Sequence, residues 1–262
     1  MCVVACAVWF GQWLEGVGGW LGVGLEVLTL SVILCMRELH AYGMRVMAGL
    51  YGHETHEQAR HALSSIVGRR TDDLDASGMT KATIESLFEN FHDGIVAPLM
   101  WYVLGGLSGM LAMKCVNTLD SMIGYRWGRY GDFGLGAARL DDGMGYVSAR
   151  LSYGVILCGG VCGRLWGSVG DFSLLKGLRV GWRDASNHVS VNAGWPEAAS
   201  AVVLGVRLGG RRVYGTHVVD GAPIGDGRDV LHGDDLTSAM ALYRWSCACA
   251  CGVACLAVFF LC

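Results

Sequence analysis

The sequence has little charge and little proline. Only 16% of its 262 residues are charged, against roughly a quarter in an average soluble domain. With 53% hydrophobic residues, 40 glycines and three prolines, it is neither a disordered nor a collagen-like chain. A net charge of −3 provides no basic surface for a phosphodiester backbone, which excludes nucleic acid as a partner. The mean hydropathy of +0.40 instead predicts lipid as the solvent.

The short motifs of several common chemistries are also missing. None of the three lysines (Lys81, Lys114 and Lys176) follows a glycine, so there is no GxxxxGK[ST] phosphate loop, and no strict GxGxxG fingerprint occurs. The eleven cysteines form no CxxC pair and mostly lie in apolar runs, where thiols behave as small hydrophobes. We expect neither a thiolate metal site nor a disulfide framework, and any ATP must use another cradle.

Long apolar segments dominate what is present. They lie at about 1–36, 95–113, 147–170, 198–209 and 239–262, and together predict four to six membrane-embedded segments. The segment 198–209 is too short to span a bilayer at roughly 1.5 Å per residue. We predict an all-α, multi-spanning membrane protein with polar helical loops, forming one membrane-embedded domain over 1–262. Its predicted location is the bacterial inner membrane.

Two glycine runs interrupt these segments, at 105–109 and at 158–163. If the glycines turn the chain inside the membrane, each segment is a re-entrant hairpin, which requires the turns to be buried in protein. Alternatively, the glycines let neighbouring helices pack closely. The sequence leaves both interpretations open.

A candidate metal site lies in the stretch 66–99. A helix from about Thr80 places Glu85, Glu89 and Asp93 at i, i+4 and i+8, within roughly 80° of arc. Like charges so placed repel each other, and Mg²⁺, which prefers oxygen ligands, would compensate them. The alternative is an exposed acidic helix face.

Two further polar blocks lie between apolar segments. The block at 117–142 contains Asn117, Asp120, Arg139, Asp141 and Asp142. The block at 182–198 contains Arg183, Asp184, His188, Asn192, Trp195 and Glu197. Polar groups concentrated beside membrane segments are candidate functional residues by default.

These strings, taken in order, resemble a known family. GR-T---LD, ES--EN--DG--APL, NTLDSM-GY, ARLDD, W-RDA--H-S-NAGWPEA and LG-RLGG are similar to the motifs of adenosylcobinamide-phosphate synthase, the integral-membrane enzyme of cobalamin biosynthesis. The resemblance covers about residues 63–228. The sequence departs from the family at Val191 and Ser148, where proline is common, and it lacks an HPV-like stretch that usually comes first. The departures leave the carboxylates and His188 in place.

The resemblance implies a reaction and its participants. Family members join adenosylcobyric acid to aminopropanol phosphate, or a related amino alcohol, through an amide bond, using ATP as cosubstrate and Mg²⁺. The expected partners are therefore a corrinoid, an amino-alcohol phosphate and membrane lipid. A homo-oligomer, or a complex with other cobalamin-synthesis enzymes, stays open.

The same resemblance suggests roles for the polar residues. His188 is the expected base, oriented by Asp184, with Glu89 as a further catalytic residue. The expected Mg²⁺ ligands are Glu85, Glu89, Asp93, Asp141 and Asp142. The expected ligands of ATP or of the amino-alcohol phosphate are Arg69, Arg139 and Arg183. The expected corrinoid or positioning contacts are Asn117, Asn192, Trp195 and Glu197.

Two other classes of function remain as alternatives. In an ion-coupled carrier, the carboxylates would bind a coupling cation, but a carrier should concentrate its polar residues within apolar segments in two related halves. Here they lie between segments, and no halves are visible. A noncatalytic subunit of a cobalamin-synthesis complex is the other alternative.

Overall fold

The computed structural model describes residues 2–52, 55–124, 131–214 and 217–261. Ten α-helices lie in these ranges: α1 Cys2–Glu15, α2 Gly19–Ile33, α3 Met36–Tyr51, α4 His56–Ser64, α5 Ala76–Phe91, α6 Ala97–Ile123, α7 Gly131–Leu165, α8 Leu174–Ala185, α9 Gly194–Leu204 and α10 Gly233–Leu261. A π-helical turn, His92–Val96, joins α5 to α6. The all-α prediction is confirmed, with one addition: a hairpin of β1 (Leu208–Tyr214) and β2 (His217–Ile224).

Three of the described helical stretches are long and apolar enough to cross a membrane. They are Gly19–Tyr51, Ala76–Ile123 and Gly233–Phe260. They contain the second half of the predicted segment 1–36, all of 95–113 and most of 239–262. The protein is thus an all-α membrane protein. The predicted segment 198–209 falls instead on α9, whose Ala198, Ala201 and Val203 are buried in the protein.

The chain divides into two compact units. Unit 1 comprises Met1–Cys35, His92–Ala149 and Cys251–Cys262, and unit 2 comprises Met36–Phe91 and Arg150–Ala250. The prediction of a single domain over 1–262 stays a prediction.

In unit 1, α1 packs along α6 around buried Leu14, Leu107 and Met110. Helix α6 is kinked at the first glycine run, where Gly106 has φ +60°, a value that costs other L-residues roughly 1–2 kcal/mol. The Glu15 carboxylate accepts a hydrogen bond from the Ser108 amide at 3.2 Å. It satisfies one of the backbone donors that the break exposes.

In unit 2, the second glycine run does not turn the chain. Helix α7 continues through it to Leu165, so the re-entrant hairpin is wrong for this segment. A Cβ on Gly159 would lie 2.6 Å from the Ser246 Oγ atom, and one on Gly160 would lie 2.8 Å from the Val203 Cγ1 atom. These glycines let α7 pack closely against α10 and α9.

The hairpin of unit 2 was missed because its stretch looked like a polar loop. The strands pair antiparallel, with Leu208 opposite Ile224 and Arg212 opposite Val219. Leu208 and Ile224 are buried, so this end of the hairpin contributes to the core. The pairing shifts register between Gly209 and Arg211, as at a β-bulge.

Candidate functional site

Unit 2 contains a small pocket lined mainly by charged side chains. Its volume is about 330 Å³. We call it the ionic pocket, after its charged members Arg69, Glu85, Glu89, Glu197 and Arg212. They come from the α4–α5 connection, α5, α9 and β1, so the fold brings together the first and third polar blocks.

Oppositely charged groups alternate around the ionic pocket. An Arg69 Nη2 atom lies 2.8 Å from Glu85 Oε2, and an Arg212 Nη2 atom lies 3.3 Å from Glu85 Oε2 and 2.9 Å from Glu197 Oε2. The side chains are 14% exposed at Arg212, 9% at Arg69, 5% at Glu85 and fully buried at Glu197. Charges this deeply buried persist only when each has a partner.

A backbone amide completes the coordination of Glu85. The Gly209 N–H donates to Glu85 Oε1 at 2.7 Å. Gly209 has φ +75°, and a Cβ there would overlap the Ala222 carbonyl oxygen. Only glycine holds this conformation without strain, so the bulge aims a peptide N–H at the carboxylate.

His188 presents an imidazole nitrogen to the same group of charges. Its Nε2 atom lies 3.1 Å from Arg212 Nη1 and 3.7 Å from Glu197 Oε1. A guanidinium can only donate, so Nε2 is the acceptor of this pair. The Nδ1 atom lies 3.0 Å from the Ser190 amide nitrogen, whose N–H donates to it, and 3.2 Å from the Ser190 carbonyl oxygen. Both ring nitrogens of His188 therefore face an N–H donor.

Burial shifts the protonation equilibria of two of these groups. Burial, and then the charge of Arg212, lower the pKa of His188 from its usual 6.5. Burial raises the pKa of Glu197 to about 7, although the contact with Arg212 opposes it. The lowered pKa keeps His188 neutral near neutral pH, so that one ring nitrogen carries an electron pair.

Asp184 does not orient His188 as expected. Its carboxylate accepts hydrogen bonds from Arg183 at 2.6 Å and from the Gly225 amide at 2.8 Å. Arg183 also donates to Asp226 at 2.8 Å. This group ties the end of α8 to the chain after β2, whereas the described polar partners of His188 are Ser190, Arg212 and Glu197.

Two predicted substrate contacts lie in the core of unit 2. Trp195 is 5% exposed and packs edge-on against Tyr153, with ring centroids 5.7 Å apart. The Arg150 guanidinium lies 4.6 Å from its ring centroid. Asn192 is equally buried, and both residues frame the start of α9, which carries Glu197.

Unit 1 holds a second polar group, the acidic cluster of Asp93, Asp120, Asp141 and Asp142. Its members interact electrostatically, and Asn117 hydrogen-bonds both Asp93 and Asp141. Burial, followed by the charges of Asp93 and Asp120, raises the pKa of Asp141 to about 7. Carboxylates so gathered favour a cation between them.

The predicted acidic face of α5 therefore divides. Glu85 and Glu89 line the ionic pocket of unit 2, whereas Asp93 belongs to the cluster of unit 1. Helix α5 ends at Phe91, and the π-helical turn that follows has more residues per turn than an α-helix. The i+8 relation of an ideal helix does not hold across it.

His92 and Ser148 support the acidic cluster. The His92 Nδ1 atom lies 2.6 Å from Asp93 Oδ1, and its Nε2 atom lies 2.9 Å from the Ser148 Oγ atom. Ser148, where the family commonly has proline, lies inside α7, where its Oγ can reach His92. The sequence did not indicate the pairing of His92 with Ser148, because the two residues lie far apart along the chain.

The donors of the acidic cluster fit a hard divalent cation. They are carboxylate and amide oxygens, the class that Mg²⁺ prefers, and Asp141 Oδ1 is buried with no hydrogen-bond partner among the described residues. In the described part of the chain, no three His, Cys, Asp or Glu side chains are arranged to hold an ion. Mg²⁺ commonly binds through one or two carboxylates, with water and substrate phosphate completing its shell.

Arg139, predicted from the sequence to bind ATP or the amino-alcohol phosphate, is exposed in the structure.

Sequence comparison identifies relatives of the whole chain. The profile of the CobD/Cbib protein family matches residues 1–243. The chain belongs to this family. "Cobalamin biosynthesis protein CobD" of Sinorhizobium fredii is 43% identical over 230 residues, which cover 87% of this chain and 69% of that protein. The protein of the same name from Brucella suis is 39% identical over 250 residues, covering 93% and 74%. No solved structure matches.

Family membership establishes a role in cobalamin biosynthesis and agrees with the resemblance in the motifs. Within unit 2, the stretches GR-T, ES--EN, H-S-NAGWPEA and RLGG supply the ionic pocket and His188. Arg212, which contacts two glutamates and the histidine, follows RLGG by two residues. Its place on β1, with its contacts to Glu85, Glu197 and His188, shows that Arg212 belongs to this group.

Proposed function

We propose that this CobD/Cbib protein joins the carboxylate of adenosylcobyric acid to the amine of aminopropanol phosphate or a related amino alcohol. The reaction consumes ATP and requires Mg²⁺. The observation that carries the proposal is the ionic pocket of unit 2, whose buried guanidinium and carboxylate groups match the two charged ends of an amino-alcohol phosphate. As a multi-spanning protein of this pathway, it would reside in the bacterial inner membrane.

The alternating charges of the ionic pocket complement such a zwitterion. Guanidinium forks bind phosphate through paired N–H donors, so Arg69 and Arg212 would hold the phosphate. Glu85 and Glu89 would receive the ammonium group. Each arginine and each glutamate of the pocket would then exchange a protein partner for a substrate group of opposite charge. No buried charge would be left without a partner.

The size of the pocket favours the small substrate. The roughly 330 Å³ of empty space includes the part that is open to solvent, so the enclosed part of the pocket is smaller still. A three-carbon amino alcohol with one phosphate suits this volume, whereas a corrinoid and a nucleotide need more room. Arg139, Arg183, Asn192 and Trp195 remain predicted contacts or positioning residues for those larger substrates.

His188 is suited to remove a proton from the amine. An ammonium group has no electron pair for attack and must first be deprotonated. When Arg212 turns to the phosphate, Nε2 of neutral His188 becomes free to accept that proton. Glu197, 3.7 Å from the same nitrogen, would stabilise the imidazolium that forms.

The other substrate needs activation, since a carboxylate is a poor electrophile. Transfer of the γ-phosphoryl group of ATP to the corrinoid carboxylate breaks the terminal P–O bond and gives an acyl phosphate and ADP. Attack of the amine nitrogen on the acyl carbon forms the C–N bond and expels inorganic phosphate. His188 takes one proton from the ammonium group before the attack, and the proton that the nitrogen loses as the C–N bond forms leaves with the phosphate as HPO4²⁻.

The acidic cluster would hold Mg²⁺ in this scheme. Asp93, Asp141 and Asp142 would supply carboxylate oxygens, with Asn117 orienting Asp93 and Asp141. Bound Mg²⁺ neutralises charge on nucleotide phosphates. Glu85 and Glu89, expected from the sequence to bind the metal, are assigned here to the ammonium because Arg69, Arg212 and Gly209 already surround Glu85.

The test is direct. Purified protein in detergent is incubated with adenosylcobyric acid, ATP, Mg²⁺ and aminopropanol phosphate, and the amide product is sought by mass spectrometry. We expect product from the wild type and at least a hundredfold less from His188→Ala. Exposed His61→Ala, on α4, is the matched control and should leave the rate unchanged.

Other results would contradict specific parts of the proposal. Undiminished product from His188→Ala and Glu85→Gln would refute the assignment of the ionic pocket. Absence of product under every condition would favour a noncatalytic subunit of a cobalamin-synthesis complex.

A further inference from the structure

Helix α8 of unit 2 shows three distinct faces along its length. At roughly 100° per residue, Gly177, Val180, Gly181, Asp184 and Ala185 share one face, and all are buried. A Cβ on Gly181 would lie in contact with the Tyr153 ring. This face packs against the rest of unit 2.

The second face of α8 is apolar and exposed. Leu174, Leu178 and Trp182 recur every four residues, with exposed fractions of 46%, 49% and 67%. Leu175, beside them, is 73% exposed. Large side chains lined up in solvent are unusual unless something covers them.

The third face of α8 is cationic. Lys176 and Arg179 are exposed and share this face with Arg183, which pairs with Asp184 and Asp226. The one acidic residue of the helix is Asp184, and it lies on the buried face. An apolar face beside a cationic face is the arrangement of helices that lie in the membrane interface, where cations meet anionic headgroups.

The surroundings of α8 within unit 2 connect it to a candidate membrane span. Trp166, 73% exposed, packs against Trp245 of α10 with ring centroids 5.2 Å apart, and α10 belongs to the span Gly233–Phe260. An open cavity of about 740 Å³ adjoins the start of α8, lined by Val161, Arg164, Leu165, Phe172 and Leu174. Tryptophan is enriched where membranes meet water, and the apolar side chains of this cavity suit an acyl chain. Arg164, its one charged lining residue, pairs with Asp171 at 2.6 Å.

We infer that α8 is an interfacial helix that binds anionic phospholipid. Leu174, Leu178 and Trp182 insert among the acyl chains, and Lys176 and Arg179 contact the phosphate groups. None of Leu174, Leu178, Trp182, Lys176 and Arg179 has a role in the proposed amide ligation, and the lipid contacts do not involve Arg183, so the two proposals stand independently. The competing occupant of the apolar face is a protein, such as a second copy of this chain.

Photo-crosslinking identifies what covers the apolar face. The full chain, with p-benzoylphenylalanine in place of Leu178, is reconstituted in vesicles of equal parts phosphatidylglycerol and phosphatidylcholine, irradiated and analysed by mass. We expect lipid adducts at position 178, and far fewer when the same probe replaces Arg70 in the α4–α5 connection. Crosslinks to a second copy, or equal lipid labelling at both positions, would overturn the inference.

Native mass spectrometry tests the cationic face. The wild type in detergent should retain phosphatidylglycerol in preference to phosphatidylcholine. In the double variant Lys176→Glu/Arg179→Glu, the ratio of retained phosphatidylglycerol to phosphatidylcholine should fall roughly fivefold for each cation removed. The control Arg70→Glu/Arg211→Glu carries the same charge change on exposed residues elsewhere in unit 2 and should keep it. Equal losses in both variants would show a net-charge effect and refute a site on α8.

Discussion

Unit 2 and unit 1 hold their charged side chains in opposite ways. In the ionic pocket, Arg69 contacts Glu85, and Arg212 contacts both Glu85 and Glu197. In the acidic cluster, four aspartates interact with one another, and Lys114 is a nearby cation. The pocket is compensated internally, whereas the cluster carries an excess of like charge.

This difference teaches what each group needs. A paired, buried set of charges is stable without ligand and binds a zwitterion by exchanging partners. A set of like charges is least stable when empty and gains from a cation, in the way that shared carboxylates gain from a proton. The same change, removal of one charge, should therefore have opposite effects in the two units.

The largest effect is expected from Arg212→Gln. Losing this guanidinium leaves Glu85 and Glu197 buried without it, which costs about 3–5 kcal/mol of unfolding free energy. Denaturant titration in detergent measures the loss. Arg70→Gln, at an arginine whose side chain is 49% exposed, should cost under about 0.5 kcal/mol; similar losses in both variants would show that the pocket is not a buried charge network.

The next effect separates the two sites by ligand. Asp141→Asn should raise the Mg²⁺ concentration for half-maximal activity about tenfold, because loss of one charged ligand costs about 1.4 kcal/mol of Mg²⁺ binding free energy. The KM for the amino alcohol should change little. Glu85→Gln should raise KM for the amino alcohol about tenfold and leave the Mg²⁺ requirement alone. Titrating both ligands against both variants gives the answer, and a crossed result would exchange the two assignments.

The sign of the stability change distinguishes the cluster from the pocket. The pKa of folded Asp141, about 7, lies above its ordinary 3.8, so the folded state binds the extra proton and stability falls as pH rises through this window. Without Mg²⁺, Asp141→Asn should raise unfolding free energy by about 1 kcal/mol at pH 8 and change little at pH 5. Melting curves at the two pH values, with added Mg²⁺ as a third condition, test this; destabilisation at pH 8 would contradict it.

The smallest effect concerns His188. The charge of Arg212 contributes to lowering the pKa of this histidine, so its removal raises that pKa and moves the acidic limb of kcat/KM to higher pH. We expect this limb to move to higher pH in Arg212→Gln and to stay in place in Arg212→Lys, which keeps the charge. If both variants shift alike, His188 is responding to a change in packing rather than to the guanidinium charge.

Local sequence signals predicted much of the fold. The spans containing α2, α6 and α10 follow from continuous apolar runs, and the helical placement of Glu85 and Glu89 follows from their i, i+4 spacing. The glycines at 159–160 fit the packing interpretation because small residues allow helices to approach. These features depend on neighbours along the chain.

Non-local geometry accounts for what the sequence did not predict. The π-helical turn changes the register between Glu89 and Asp93, and no residue type in HDGIV signals it. Arg212 belongs to the pocket through the β1–β2 hairpin, which the sequence did not predict, and His92 contacts Ser148 fifty-six positions away. Motif spacing identified which stretches matter and could not show how they divide between two sites.

The contact between Glu15 and the break of α6 has a consequence for biogenesis. The two ends of this hydrogen bond lie 93 positions apart, so the ribosome delivers α1 long before the helix it caps. The Glu15 carboxylate is thus already synthesised when the second half of α6 leaves the ribosome. Deleting the first fifteen residues removes α1 and, with it, the Glu15 carboxylate that caps the second half of α6. We therefore expect the deletion to impair membrane insertion of α6 as well as the stability of the folded protein.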